Sequence, residues 1–195
     1  LKDGASRGFP EYQGADKLPP RTDADYATLA EIITNMDARL LVLEEINGFD
    51  PPGDAPDEAV PRSHELDRLV SKLAPRRFAY VISSSGDAQR IAFLYDEDSL
   101  HLDSYCQASL PNEDVQGKAL FARQPLLGYF KIFADGAERN DFVAVGVHLA
   151  SGQSFAKNHD KAMERITGWI ANERSATGCI PPGEFDVLIA GDFNA

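Results

Sequence analysis

Apolar residues recur at Leu29, Ile32, Ile33 and Met36, a spacing of i, i+3, i+4 and i+7 that marks one face of a helix. Thr22 or Asp23 can cap it, so the pattern predicts a helix over about 24–38. The next apolar run, Leu40 to Leu43 within RLLVLEEI, reads as a short buried strand with Glu44 and Glu45 at its exit. DPPGDAPDEAVP is a loop by composition. A second helix is predicted over about 63–73, with Leu66, Leu69, Val70 and Leu73 facing inward. The period then changes. FAYVIS, RIAFLYD, SLHLDSYCQA and KALFAR are short, rich in β-formers, and separated by SSGDAQ, DEDS and LPNEDVQG. LLGYFKIF and FVAVGVHL flank ADGAERND, which reads as a hairpin connection. A third helix is predicted over about 157–173, with Ala162, Ile166, Trp169 and Ile170 on one face. GCIPPGE breaks it, and DVLIA is the final strand.

This order is helix, strand, helix, a run of strands, then helix and strand. It is not a strict βαβ alternation, and it predicts an α+β layering of antiparallel sheet against helices. Residues 1–24 are rich in Gly, Pro and charge and read as an irregular arm; 25–195 read as one domain, with no repeat and no long linker. The 195 residues suffice for a sizeable core, and 43% apolar content is ordinary for a globular protein. No apolar run approaches the ~20 residues that span a bilayer. A formal net charge of −12 argues against gripping DNA over a long footprint by charge alone. It leaves open a hydrolase that meets phosphate through a metal ion, because a bound divalent cation dominates its site whatever the sign of the surface. Cys106 and Cys179 form no CxxC and no zinc pattern. They are either two small core residues or one disulfide. The sequence starts at Leu1 with no visible leader, and the expected location leans toward export, periplasmic or extracellular.

Polar residues stand where apolar strands end: Glu45 after LLVLE, Arg123 in FARQP, His148 in VAVGVHLAS, and Asp192 with Asn194 in IAGDFNA. Singly, each has an ordinary explanation as a turn former, a surface ion pair or a core histidine. Together they make two acids, an amide, a guanidinium and an imidazole, which are parts for holding a divalent metal and a phosphate. Glu45 suits a metal ligand, and Asp192 could hold metal or orient an attacking water. Asn194 can donate to a phosphate oxygen without adding charge, Arg123 can offer two N–H groups, and His148 can donate to the phosphate or the leaving oxygen.

LLVLEEI, RIAFLYD, FARQPL, VAVGVHLAS and DVLIAGDFNA occur in the order and spacing of the endonuclease/exonuclease/phosphatase superfamily. The chain resembles this superfamily, the fold of deoxyribonuclease I, sphingomyelinases and inositol polyphosphate phosphatases, from about residue 25 to the end. The resemblance implies a four-layer α/β sandwich: two mostly antiparallel β-sheets packed face to face, with helices outside. It implies Mg²⁺ or Mn²⁺ as cofactor and phosphoester hydrolysis by in-line attack of water, with a nuclease-like substrate favoured over other phosphate esters. Glu45 matches the metal-binding Glu, Arg123 an arginine near the scissile phosphate, and His148 the His of the HL motif. Asp192 and Asn194 match the Asp and Asn of the GDFN motif. Gln89 stands where deoxyribonuclease-like members carry a Glu that orients that His. Three departures accompany the match. Glu44 replaces the usual Gln, no first strand with a metal-site Asn is recognisable before residue 25, and the Ser-Asp-His segment with the water-activating His has no counterpart. The expectation is therefore a domain incomplete at its C-terminal side. The alternative function is a catalytically incomplete or decayed member that binds metal or a partner.

Overall fold

A computed structural model describes residues 21–48, 61–85, 89–110, 120–121, 123–149, 153–172, 180–181, 183–184 and 186–194. Internal contacts divide the chain into two compact units, Leu1–Ser99 and Leu100–Ala195. The expected arm lies almost wholly outside the described residues.

In the first unit, α1 spans Asp23–Met36. Thr22 caps it: its hydroxyl accepts from Asp25 N, and its own N–H donates to the Asp25 carboxylate at 2.6 Å. This reciprocal pair satisfies two N–H groups left over at the helix start. The buried face is Tyr26, Ala30 and Ile33, with Leu29 partly covered. Ile32 and Met36, expected inside, are 49% and 62% exposed. The fully buried Tyr26 ring sets the phase of the helix, and a pattern counted from Leu29 misses it.

β1 (Leu40–Ile46), β2 (Phe78–Ile82) and β3 (Arg90–Asp96) form an antiparallel sheet in the order β1-β3-β2. Every residue of the central β3 is buried, as its unbroken apolar run requires. α2 (His64–Lys72), capped by Ser63, packs Leu66 and Leu69 with Tyr26, Ile33, Ile46 and Leu94 in one cluster. Each such fully buried Leu contributes roughly 1.5–3 kcal/mol.

The sheet end away from the β1 exit is latched by Asp96. Its Oδ2 accepts from Arg39 at 2.6 Å and Arg76 at 2.7 Å, and its Oδ1 accepts from Asp98 N at 3.1 Å. Burial pushes this carboxyl up, but the hydrogen bonds from Arg76, Arg39 and Asp98 N outweigh it and hold the group below the ordinary carboxylate range. A depressed folded-state pKa gives stability that is complete above the unfolded value near ~3.9 and is lost as pH falls through the folded one. Asp96→Asn should cost about 1–3 kcal/mol at pH 7, since hydrogen bonds to charged groups are the stronger kind. It should also flatten the acid limb of stability, measured by urea unfolding between pH 7 and pH 3.

In the second unit, β4 (Leu100–Gln107), β5 (Leu126–Ala134), β6 (Ala137–His148) and β7 (Val187–Asp192) lie in the order β4-β5-β6-β7. β4, β5 and β6 are antiparallel, and β6 and β7 are parallel. The β5–β6 turn is shorter than ADGAERND suggested. Asp135 and Gly136 alone form it, with φ of 54° and 74°. Two left-handed residues match the twist of a two-residue hairpin, so the ladder continues directly into Ala137.

KALFAR, expected as a strand, is none among its described residues. Leu120 and Phe121 are buried in the core without a ladder. Gln124, just after them, accepts from Leu110 N and donates to Leu110 O, both at 3.1 Å. Burial alone drove that apolar run, and burial does not distinguish strand from anchored loop. α3 (Gln153–Asn172) connects β6 to β7 and packs Ala162, Ile166 and Trp169 onto Val143, Val145 and Val147. Cys106 is disulfide-bonded, and Cys179 is the other cysteine of the sequence. Among the described residues, no helix is long and apolar enough to cross a membrane.

Candidate active site

The first unit presents its carboxylates through an irregularity in β1. Leu43 pairs with Ala92 and Ile46 with Arg90, so β1 spends one more residue than β3 over this step. Leu41 and Leu43 face the helix-side cluster, and side chains alternate along a regular strand. Without the extra residue, Ile46 would turn away from that cluster; with it, Ile46 is buried there completely. This is a β-bulge, and its inserted pair is Glu44 and Glu45. Glu45 has φ 56°, a left-handed conformation that costs a non-glycine residue about 1–2 kcal/mol. Strain of this kind concentrates at functional sites. Gln89, just before β3, donates from Nε2 to Glu45 Oε1 at 3.3 Å. Glu45 and Gln89, both named from sequence, thus meet at one end of the three-stranded sheet. The bulge adds Glu44 beside them, so two half-buried carboxylates stand where one was expected.

The second unit assembles His148, Asp192 and Asn194 through strand direction. β6 and β7 run parallel, so both finish at the same sheet end, and their register pairs His148 with Asp192. Leu149 N donates to Asp192 O at 2.9 Å, continuing the pairing one step past the strands. Asn194 then turns with φ 49°. Its N–H donates to Asp192 Oδ1 at 2.8 Å, and its Nδ2 donates to Leu149 O at 2.7 Å. Asn tolerates this left-handed position better than most residues. An amide NH₂ carries two hydrogens, so one can latch Leu149 while the other serves an anion. His148 is 6% exposed, whereas Asp192 is exposed. Arg123 is half-buried and stands just before β5. Leu126 pairs with Gly146, so the start of β5 lies at the β6 exit, and Arg123 belongs to the same sheet end as His148.

Each unit carries groups of the kinds that a hard divalent cation or a phosphate takes. Glu44, Glu45 and Asp192 offer carboxylate oxygens, the donors that Mg²⁺ and Mn²⁺ take. His148, Asn194 and Arg123 offer N–H donors suited to phosphate oxygens.

The elements among the described residues, a three-stranded sheet, a four-stranded sheet and three helices, are those of an α+β, deoxyribonuclease I-like fold. Three solved structures illustrate the likeness. A TDP2 from D. rerio humanized by 14 mutations gives a TM-score of 0.57 at 14% identity, covering 89% of this chain and 60% of that one. A conserved protein of unknown function from Enterococcus faecalis gives 0.55 at 19% identity, covering 87% and 58%. An endonuclease/exonuclease/phosphatase family protein from Bacteroides thetaiotaomicron gives 0.51 at 15% identity, covering 87% and 54%. The chain thus spans less than two thirds of the length of these structures. No family model matches the chain, and no curated protein matches it by sequence.

Proposed function

We propose that this chain belongs to a metal-dependent phosphoesterase that hydrolyses phosphodiester or phosphomonoester bonds by in-line attack of water. The observation that carries the reading is the parallel β6–β7 register. It pairs His148 with Asp192 and brings Asn194 to the same sheet end as Arg123. The superfamily fold supports it, as does the strained bulge that presents Glu44 and Glu45.

In this reading Glu45 is a ligand for Mg²⁺ or Mn²⁺ in the first unit, with Glu44 adding negative charge beside it, and Asp192 is a ligand of the same kind in the second unit. A bound ion of that kind polarises a phosphoryl oxygen as a Lewis acid. Asp192 orients the attacking water through its exposed carboxylate. His148 and Asn194 donate to phosphate oxygens whose charge grows in the transition state, and Arg123 holds the phosphate in place. Gln89 keeps Glu45 oriented by its hydrogen bond. The partner is a phosphate ester, with nucleic acid one candidate, and the net charge of −12 favours a short contact over a long DNA footprint. The bonded Cys106 supports an oxidising, exported location.

The test is a hydrolysis panel of plasmid DNA, sphingomyelin, inositol phosphates and bis(p-nitrophenyl) phosphate with Mg²⁺, Mn²⁺ or excess EDTA. Turnover on at least one substrate should vanish with the chelator and return with added metal. Turnover unchanged in excess EDTA would remove the metal assignment.

A further inference from the structure

We propose that Glu65 is a positioning residue: it clamps the segment after β1 and so holds the bulge that presents Glu44 and Glu45. The clamp itself is a matter of local structure, while its consequence for metal binding rests on the phosphoesterase reading.

Glu65 lies in the first turn of α2 and is 2% exposed. A carboxylate taken so far out of water needs hydrogen-bond partners. Asn47 supplies two of them. Asn47 N donates to Oε2 at 3.3 Å, and Asn47 Nδ2 donates to Oε1 at 2.9 Å. The helix N-terminus adds a favourable field for the charge. The match is specific to an acid. Asn47 offers two donors side by side, and a carboxylate answers with two acceptors. Glutamine would offer one acceptor and one NH₂, setting donor against donor at one of the two contacts.

Asn47 is the second residue after Glu45. The bulge is therefore held on its far side at two successive points, Ile46 in the core and Asn47 on Glu65. Gln89 holds the Glu45 carboxylate itself. A left-handed glutamate persists only where its surroundings over-determine it, and these contacts supply that constraint. Close packing continues to the next residue: a Cβ on Gly48 would lie 2.5 Å from Arg90 Cδ and 3.1 Å from Ile82 Cδ1. A displaced Asn47 would carry the bulge with it and change where the carboxylates stand.

The experiment compares Glu65→Ala, Glu65→Gln, Asn47→Ala and the double variant Glu65→Ala/Asn47→Ala, with Leu69→Ala as a control that weakens the same helix elsewhere. Metal-free amide exchange, read residue by residue by NMR, should quicken ~10-fold or more at Glu45–Asn47 relative to Leu41–Leu43 in the Glu65 variants. Leu69→Ala should show no such local difference. Mn²⁺ affinity, read from the electron-paramagnetic signal of free Mn²⁺ well below the melting temperature, should fall ~10–100-fold in Glu65→Ala. It should fall less in Glu65→Gln and remain intact in Leu69→Ala. The double variant should bind no more weakly than the worse single one, because the two residues form one interaction. Unchanged exchange at the β1 exit overturns the clamp. Changed exchange with wild-type Mn²⁺ affinity overturns its role in positioning the carboxylates. A wild-type chain that binds no Mn²⁺ overturns the phosphoesterase reading and the metal role together, and exchange alone then decides the clamp. Should Glu65→Ala fail to fold, Glu65→Gln carries both measurements.

Discussion

His148→Ala is expected to lower turnover of a phosphate ester by about 10²-fold or more while leaving KM nearly unchanged, because a donor to developing charge acts mainly in the transition state. His148 ends a strand that is flanked on both sides in its sheet, by β5 and β7. Its backbone place is therefore fixed by ladders that do not depend on the imidazole. A histidine serving only the core would behave differently: its loss would lower the melting temperature and spare the turnover of the molecules still folded. The two roles separate when kcat on bis(p-nitrophenyl) phosphate with Mn²⁺ is measured beside thermal unfolding. A variant that melts early but turns over normally would return His148 to the core.

Asp192→Asn is expected to reduce kcat by about 10²–10⁴-fold, the range for losing a group that handles the proton or position of the attacking water. This substitution is more informative than alanine. The turn after β7 needs an acceptor at Asp192 Oδ1 for Asn194 N, and asparagine keeps that oxygen. The latch from Asn194 to Leu149 should survive, so structure stays and only the charge goes. Asp192→Ala removes both and should lose stability as well. Equal turnover in wild type and Asp192→Asn, with an unchanged metal requirement, would show that the carboxylate serves the turn alone.

Much of this molecule was legible in its sequence for a simple reason. The strands RIAFLYD, LLGYFKIF and DVLIA are driven by burial that shows in local composition, and GDFN is a turn whose residue types follow from its backbone. α2 was placed to within a residue by the apolar face of Leu66, Leu69, Val70 and Leu73. What escaped depends on a partner elsewhere in the chain. The bulge at Glu44 and Glu45 exists only relative to β3, so LLVLEEI looked like a strand that ends at Leu43. Glu65 drew no notice in the sequence, since no periodicity marks a buried carboxylate bonded to Asn47. The α1 face was misjudged because a tyrosine was not counted among the residues that set it. KALFAR misled because its leucine and phenylalanine are buried without a strand. For the site, the pairing of His148 with Asp192 followed from neither motif alone; it needed the parallel alignment of β6 and β7.

That alignment has a kinetic side. β7 reaches β6 only after the chain has travelled through α3, and the latch between Leu149 and Asn194 joins residues 45 positions apart. The β5–β6 hairpin, by contrast, closes over two residues. Ring closure over a long span costs more chain entropy and comes later than closure over a short one. The expected order of assembly is hairpin before β7: the scaffold that carries His148 can form before Asp192 arrives to pair with it.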